Sequence, residues 1–226
     1  MSRSETSPCA DDDLAVSAKP GLLLSVDGPC GVGKSTAVQA IGIHLRKIDI
    51  PAVAIRQPST GLLGSYIRAQ IDSYTGMALA CLIAGDRHHQ QRTEIEPALA
   101  AGRVVICDRY LPSSLVLQVR DGVGAETVQT INAGIRIPDL AVFLRAEPNV
   151  IDARMQARGG PRNRFHREAA DGSWELEMFD DVAAKLTELG WPVHIIDTTS
   201  LSRHEIADQI AKLLVSRLGR KTAPPM

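Results

Sequence analysis

The amino-acid sequence predicts an α/β fold in which a parallel sheet is covered by helices on both faces. Three observations carry this expectation. Five short, largely apolar runs, Leu22–Val26, Ala52–Arg56, Val104–Cys107, Leu140–Leu144 and Val193–Ile196, are separated by stretches of helical character. The runs do not alternate apolar with polar residues, as strands buried on both faces need not. Between the first run and a helix-like stretch stands Gly28-Pro29-Cys30-Gly31-Val32-Gly33-Lys34-Ser35, which fits the phosphate-binding pattern G-x-x-x-x-G-K-[ST].

Each element follows in turn. Leu22 to Val26 delivers the glycine-rich loop to a helix over Ser35 to Ile48. The glycines let backbone N–H groups wrap a polyphosphate, and the helix N-terminus adds a positive dipole end. In such a loop Gly28, Pro29, Cys30, Gly31, Val32, Gly33 and Thr36 form the wrap, Lys34 reaches the β- and γ-phosphates, and Ser35 holds Mg²⁺. Ala52 to Arg56 is a short strand after Pro51; Leu62–Tyr74 and Met77–Ala101 read as helices, with Gly76 and Gly102 at breaks. The last three strand cores are each followed by a helical stretch. Gly159 to Gly172 has no periodicity and reads as an arginine-rich lid inserted between helices. Residues 1–20 contain Asp11-Asp12-Asp13 and have neither a basic start nor an apolar centre, so they read as a disordered tail and not a secretory signal. Residues 219–226 read as a frayed second tail, which leaves one domain over 21–218.

Composition narrows the function. The chain has 226 residues, 44% hydrophobic and 23% charged, enough for one sizeable core. Its formal net charge of -1 argues against a nucleic-acid polymer or a polybasic membrane contact, and no apolar run approaches a membrane span. The four cysteines, Cys9, Cys30, Cys81 and Cys107, form no C-x-x-C pair. This is reduced, cytoplasmic usage, neither a disulfide framework nor a zinc site.

In an open parallel sheet ligands bind beyond the carboxyl ends of the strands. Asp27 and the loop follow the first strand, Arg56-Gln57-Pro58 the second, Asp108-Arg109-Tyr110 the third. A carboxylate opposite Lys34 and Ser35 suits the water shell of Mg²⁺, which makes Asp108 the candidate; the alternative is a helix cap for Pro112 onward. Arg109 offers a planar fork for a second phosphate group. Arg87 lies one turn after Ile83 on the same helix face, where it could bond the polar edge of a ligand over Ile83, or pair with a nearby acid as a surface residue. Arg154, Arg158, Arg162, Arg164 and Arg167 cluster in and beside the lid. If closure brings them in, they stabilise charge on a transferring phosphoryl group; otherwise they form a solvated basic face.

These residues carry a family resemblance. Asp27 to Thr36, Leu82-Ile83-Ala84-Gly85-Asp86-Arg87, Asp108-Arg109-Tyr110 with Ser113, Ser114 and Gln118, and Pro138-Asp139-Leu140 resemble thymidylate kinases, the P-loop nucleoside monophosphate kinases that phosphorylate dTMP. The likeness runs from about Leu22 to about Leu214. It implies a P-loop NTPase fold with a five-stranded parallel sheet, ATP as donor with Mg²⁺, a homodimer, and acceptor-phosphate contacts from Arg56 and Arg109. The acceptor site it implies takes in Asp27, Ile83, Arg87, Ser113, Ser114, Leu117 and Gln118, and Lys34, Asp108, Arg109, Arg158 and Arg164 become the catalytic set. Four positions depart from the family pattern. Cys30 stands where an acidic residue faces the acceptor sugar, Ile83 where a phenylalanine stacks on thymine, Leu117 where a tyrosine or phenylalanine is usual, and Gln57 where many bacterial members have glutamate. Phe165 is placed to restore one aromatic wall. The implied reaction is phosphorylation of dTMP to dTDP. The alternatives are a kinase for another or modified nucleotide in a specialised pathway, or a non-catalytic P-loop switch, against which Arg87, Asp108 and Arg109 speak.

Overall fold

Successive side chains of a strand face opposite sides of a sheet, and the first strand shows what that requires here. Leu22, Leu24 and Val26 join one buried apolar cluster while Leu23 joins another. The computed structural model describes residues 21–159, 165 and 173–221. Its strands are β1 (Leu23–Asp27), β2 (Ala52–Arg56), β3 (Val104–Asp108), β4 (Leu140–Arg145) and β5 (Val193–Asp197). All pair in parallel in the order β2-β3-β1-β4-β5, so β1 lies at the centre.

The helices are α1 (Lys34–Lys47), α2 (Leu62–Ala69), α3 (Gly76–Gln90), α4 (Glu96–Ala100), α5 (Leu111–Arg120), α6 (Ala125–Ile131), α7 (Pro148–Arg158), α8 (Ser173–Glu188) and α9 (Arg203–Lys221). One face of the sheet is covered by α1, α7 and α9, whose Ile41, Leu45, Ile151, Ile210 and Leu214 meet Leu24, Ile106 and Val142. The other face meets α3 to α6 and α8 through residues such as Leu99, Leu115, Val116, Phe179 and Leu186. A smaller cluster of Ile67, Leu79, Ile83 and Phe165 joins α2 to α3 away from the sheet.

Three boundaries differ from the sequence expectations. The helix read over Met77–Ala101 is broken by a π-turn at Gln91–Ile95 between α3 and α4. Pro97 explains it: the ring has no N–H for the carbonyl one turn back and crowds that carbonyl, so the helix widens ahead of it. The helix read to Tyr74 stops at Ala69, because the chain turns at Gln70, whose carbonyl accepts from Ser73 and Tyr74 at 2.9 and 3.3 Å. The last helix runs beyond Leu218 to Lys221. The expected N-terminal tail, the lid apart from Gly159 and Phe165, and residues 222–226 lie outside the described residues.

Leu24 sits fully buried in β1, opposite Ile106 of β3 and Leu140 of β4. Leu24→Ala leaves a cavity that this tightly flanked strand cannot close, so it is expected to lower stability by about 3 kcal/mol. A urea titration of both proteins checks this; a loss below about 1 kcal/mol would mean that the central strand relaxes freely.

Candidate active site

At the carboxyl end of β1 the chain turns sharply into the loop before α1. Gly28 has φ +141°, and a Cβ there would stand 2.3 Å from the carbonyl oxygen of Leu144, so only glycine lets β4 crowd the loop. Residues 30–37 of the loop and α1, with Gln39, Arg154 and the start of α9, line a cavity of about 600 Å³. Lys34 is buried in its wall, and its Nζ donates to the carbonyls of Gly28 and Pro29, both at 2.7 Å. Burial first, then the charge of Arg109, push its pKa down to about 8, against the opposing pull of Cys30, Glu175 and Asp108. A phosphate in the loop supplies the missing counter-charge.

Strand pairing brings the next groups alongside. Ser35 Oγ donates to Asp108 Oδ2 at 2.5 Å, and Asp108 Oδ1 has no hydrogen-bond partner although the residue is only 9% exposed. A hard cation takes hydroxyl and carboxylate oxygens and completes its shell with water and phosphate. The pair therefore fits Mg²⁺, whereas no group of three or more His, Cys, Asp or Glu side chains suited to a metal occurs among the described residues. Asp108 is not the cap of α5, whose N-cap is Tyr110 with no side-chain cap bond.

Arg109 holds φ +71°, the left-handed region that a side chain disfavours, with its N–H donating to the Val26 carbonyl at 3.0 Å. Strain of this kind collects at functional sites. Its Nη2 lies 3.8 Å from Cys30 Sγ, and Nη1 has no partner. Burial alone would lower its pKa, but Cys30, Asp108, Glu175 and Asp27 outweigh burial and raise it.

A second cavity of about 260 Å³ adjoins the first. Its polar lining includes Arg56, Arg68, Asp108, Arg109 and Glu175, its apolar lining Ile71, Ile83, Leu117 and Phe165, and Gln57, Pro58 and Gln118 also border it. Gln118 is buried with Oε1 unpartnered. Cys30, Ser35 and Arg109 line both cavities. Of the acceptor residues read from the sequence, Arg56, Ile83, Arg109, Leu117, Gln118 and Phe165 thus come together.

Four others, Asp27, Arg87, Ser113 and Ser114, do not line either cavity. Asp27 is wholly buried, and its Oδ1 accepts from the Tyr110 and Ser113 amides at 2.9 and 3.2 Å and from Ser113 Oγ at 2.7 Å. Burial raises its pKa, and these bonds pull it back. Asp27 and Ser113 therefore tie the start of α5 to β1. Arg87 is 2% exposed. Its Nε donates to Gln57 Oε1 and its Nη2 to Ser114 Oγ, each at 2.7 Å, and Nη1 bonds Asn132 Oδ1. The spacing from Ile83 gave the right helix face, but buried acceptors on three other segments fill the fork, so Arg87 and Ser114 brace the cavity from behind. The side chain of Arg158 and the whole of Arg162, Arg164 and Arg167 lie outside the described residues.

The sequence reading missed three contributors. Glu175, in the first turn of α8, is buried and accepts from the Cys30 amide at 2.9 Å. Arg68 of α2 lines the second cavity while bonding the carbonyls of Pro58 and Ser59. Arg154 donates to the carbonyls of Val32 and Thr198 at 3.2 and 2.7 Å and so joins the loop to the chain after β5. Only its membership of an arginine cluster hinted at this; nothing local marked Glu175 or Arg68.

The Lys34 pKa fixes a pH dependence. Because folding lowers it from 10.5 to about 8, the unfolded chain binds more protons between these values, so stability should rise with pH across that window. A nucleoside triphosphate in the loop restores the proton, so binding at about pH 9 should take up about one proton per site, and Lys34→Met should take up none. Calorimetry in buffers of different ionisation enthalpy measures the difference. For Arg109, both Ala and Gly remove the guanidinium, but only Gly relieves the φ +71° strain. Arg109→Gly should therefore be more stable than Arg109→Ala by about 1 kcal/mol in denaturant titrations, and equal stability would show an unstrained backbone.

Comparison with known proteins agrees with this geometry. A family model described as thymidylate kinase matches residues 26–210. A probable thymidylate kinase of Pyrobaculum aerophilum is 31% identical over 197 residues, covering 84% of this chain and 95% of that protein. A thymidylate kinase of Xanthomonas oryzae pv. oryzae is 32% identical over 209 residues, covering 91% and 88%, and one of Desulfotalea psychrophila is 29% identical over 209 residues, covering 88% and 98%. With its glycine-rich loop, strand-end Asp108-Arg109 and five-stranded parallel sheet, this chain belongs to the thymidylate kinase family.

Proposed function

We propose that the chain transfers the γ-phosphoryl group of ATP to a pyrimidine nucleoside monophosphate, with dTMP the leading acceptor and dTDP the product. The observation that carries this reading is the wall of Cys30, Ser35 and Arg109 common to two adjoining cavities. A donor in the first and an acceptor in the second would meet at it. Phosphoryl transfer has a loose transition state, so the protein's work is positioning and charge compensation without a covalent intermediate. Lys34 and the loop amides hold the donor phosphates, Arg109 bridges the junction, and Arg56 and Arg68 bind the acceptor phosphate. Ser35 and Asp108 would hold Mg²⁺, which when bound neutralises charge on the donor phosphates. Arg158 and Arg164 are proposed to reach the moving group on closure.

The apolar lining of the second cavity suits a base, and the partnerless Gln118 Oε1 calls for an N–H donor. Thymine and uracil present one at ring nitrogen 3, where cytosine presents a bare acceptor that leaves two buried acceptors facing, at a cost of about 1 to 3 kcal/mol. Cys30, Ile83 and Leu117 favour one second reading, a different or modified pyrimidine nucleotide as acceptor. A homodimer is proposed through the outer faces of α2 and α3, where Leu62 is 95% exposed beside half-exposed Tyr66 and Met77. The free thiols of Cys30, Cys81 and Cys107 suit a cytoplasmic enzyme. No helix among the described residues is long and apolar enough to cross a membrane.

A coupled assay with Mg-ATP over dTMP, dUMP, UMP, dCMP, dGMP and thymidine tests the reading. dTMP and dUMP should lead in kcat/KM, dCMP and dGMP should fall well behind, and thymidine should be near zero, with Lys34→Ala and Asp108→Ala folded but nearly inactive. Preference for thymidine over dTMP would sink the arginine assignment. Activity on none of them would move the acceptor to the modified nucleotides.

A further inference from the structure

We infer that Arg154 is a positioning residue for the donor: by holding the Val32 carbonyl from outside the phosphate loop, it aims and strengthens the Gly33 N–H at the other end of the same peptide. This rests on the reading of the first cavity as the donor site. A loop that wraps an anion turns its N–H groups inward, so its carbonyls face outward and need donors of their own. Lys34 Nζ serves the carbonyls of Gly28 and Pro29 at 2.7 Å, and the Ala37 amide of α1 serves that of Gly33 at 2.9 Å. The Val32 carbonyl is served from farther along the chain, where Arg154 Nη1 donates to it at 3.2 Å. The same Nη1 donates to Thr198 Oγ1 at 3.1 Å and Nη2 to the Thr198 carbonyl at 2.7 Å, so the residue after β5 grips both nitrogens of the fork.

α7 carries the guanidinium to the loop with little slack. A Cβ at Gly31 would stand 2.5 Å from Met155 Cγ and 3.1 Å from Ile151 Cγ2, so this helix lies directly on the loop. Because the peptide between Val32 and Gly33 is planar and trans, its C=O and N–H point in opposite directions. A guanidinium on the oxygen therefore leaves the N–H to the other side, and Gly33 lines the first cavity. A charge-assisted bond to the carbonyl also draws electrons from the peptide nitrogen, which makes its N–H a stronger donor to a phosphate oxygen. The phosphates of the donor, not its base, feel this effect.

The test measures the KM of ATP, the KM of dTMP and the Ki against ATP of inorganic tripolyphosphate, which has the phosphate chain but no base, in Arg154→Met, Arg154→Lys and Thr198→Val beside the wild-type chain. The methionine variant should raise the ATP KM and the tripolyphosphate Ki by the same factor, about three- to thirtyfold, while the dTMP KM stays unchanged. Lysine keeps the charge without the fork and should recover part of that loss. Valine at 198 frees one side of the fork and should show the same pattern to a smaller degree. A rise in the ATP KM alone overturns the inference, since it marks a contact with the base or ribose. Equal rises in all three constants overturn it as well, because they mark a general support of the fold, and so do three unchanged constants. If ATP and tripolyphosphate do not compete in the wild-type chain, the donor reading of the first cavity fails first and the role of Arg154 falls with it.

Discussion

The parallel pairing of β1 with β3, with Val26 opposite Asp108, is the constraint on which the site depends. It makes the phosphate loop and the Asp108-Arg109 step leave the sheet side by side. From that adjacency follow the Ser35–Asp108 hydrogen bond, the hydrogen bond from the Arg109 N–H to the Val26 carbonyl at the left-handed step, and the Asp27 carboxylate that receives the start of α5. Because side chains alternate along a strand, a slip of one residue would turn Leu22, Leu24 and Val26 into the wrong cluster. The apolar core thereby fixes the register, and the register places the charged groups.

Those charges are held in partial imbalance. Buried Lys34 and half-buried Arg109 stand near one another, with Asp108 and Glu175 among the nearby carboxylates. A lysine pushed toward neutrality, an arginine with a free Nη1 and a carboxylate with a free oxygen are each incomplete by themselves. In a dry site, fixed charges act on a ligand without first having to reorient. The unfinished electrostatics are thus what makes the site receptive, at some expense in the stability of the empty fold.

The loop was legible in the sequence because its function needs contiguous residues in a fixed pattern, and the strand-end pair because sheet topology sends ligands there. Helix-face periodicity also placed Arg87 correctly. It could not show that Gln57, Ser114 and Asn132, all distant in sequence, would occupy the guanidinium. Asp27 shows a related limit: a strand-end carboxylate serves equally as ligand or as anchor, and its bonds to Tyr110 and Ser113 follow only from packing. Glu175 left no local trace, since its partner Cys30 lies 145 residues away. Residue type and short spacing reveal chemistry that a single segment carries, whereas contacts between segments follow from the folded packing.

The wall shared by the two cavities sets how freely this enzyme can be re-engineered. A change at Cys30, Ser35 or Arg109 touches both compartments at once and, on the proposed division into donor and acceptor sites, couples donor use to acceptor choice. Ile83, Leu117 and Phe165 border one compartment only. If the second cavity takes the acceptor as proposed, acceptor preference is modular: sequence drift or design can explore it at these three positions while the phosphate machinery stays under separate, stricter control.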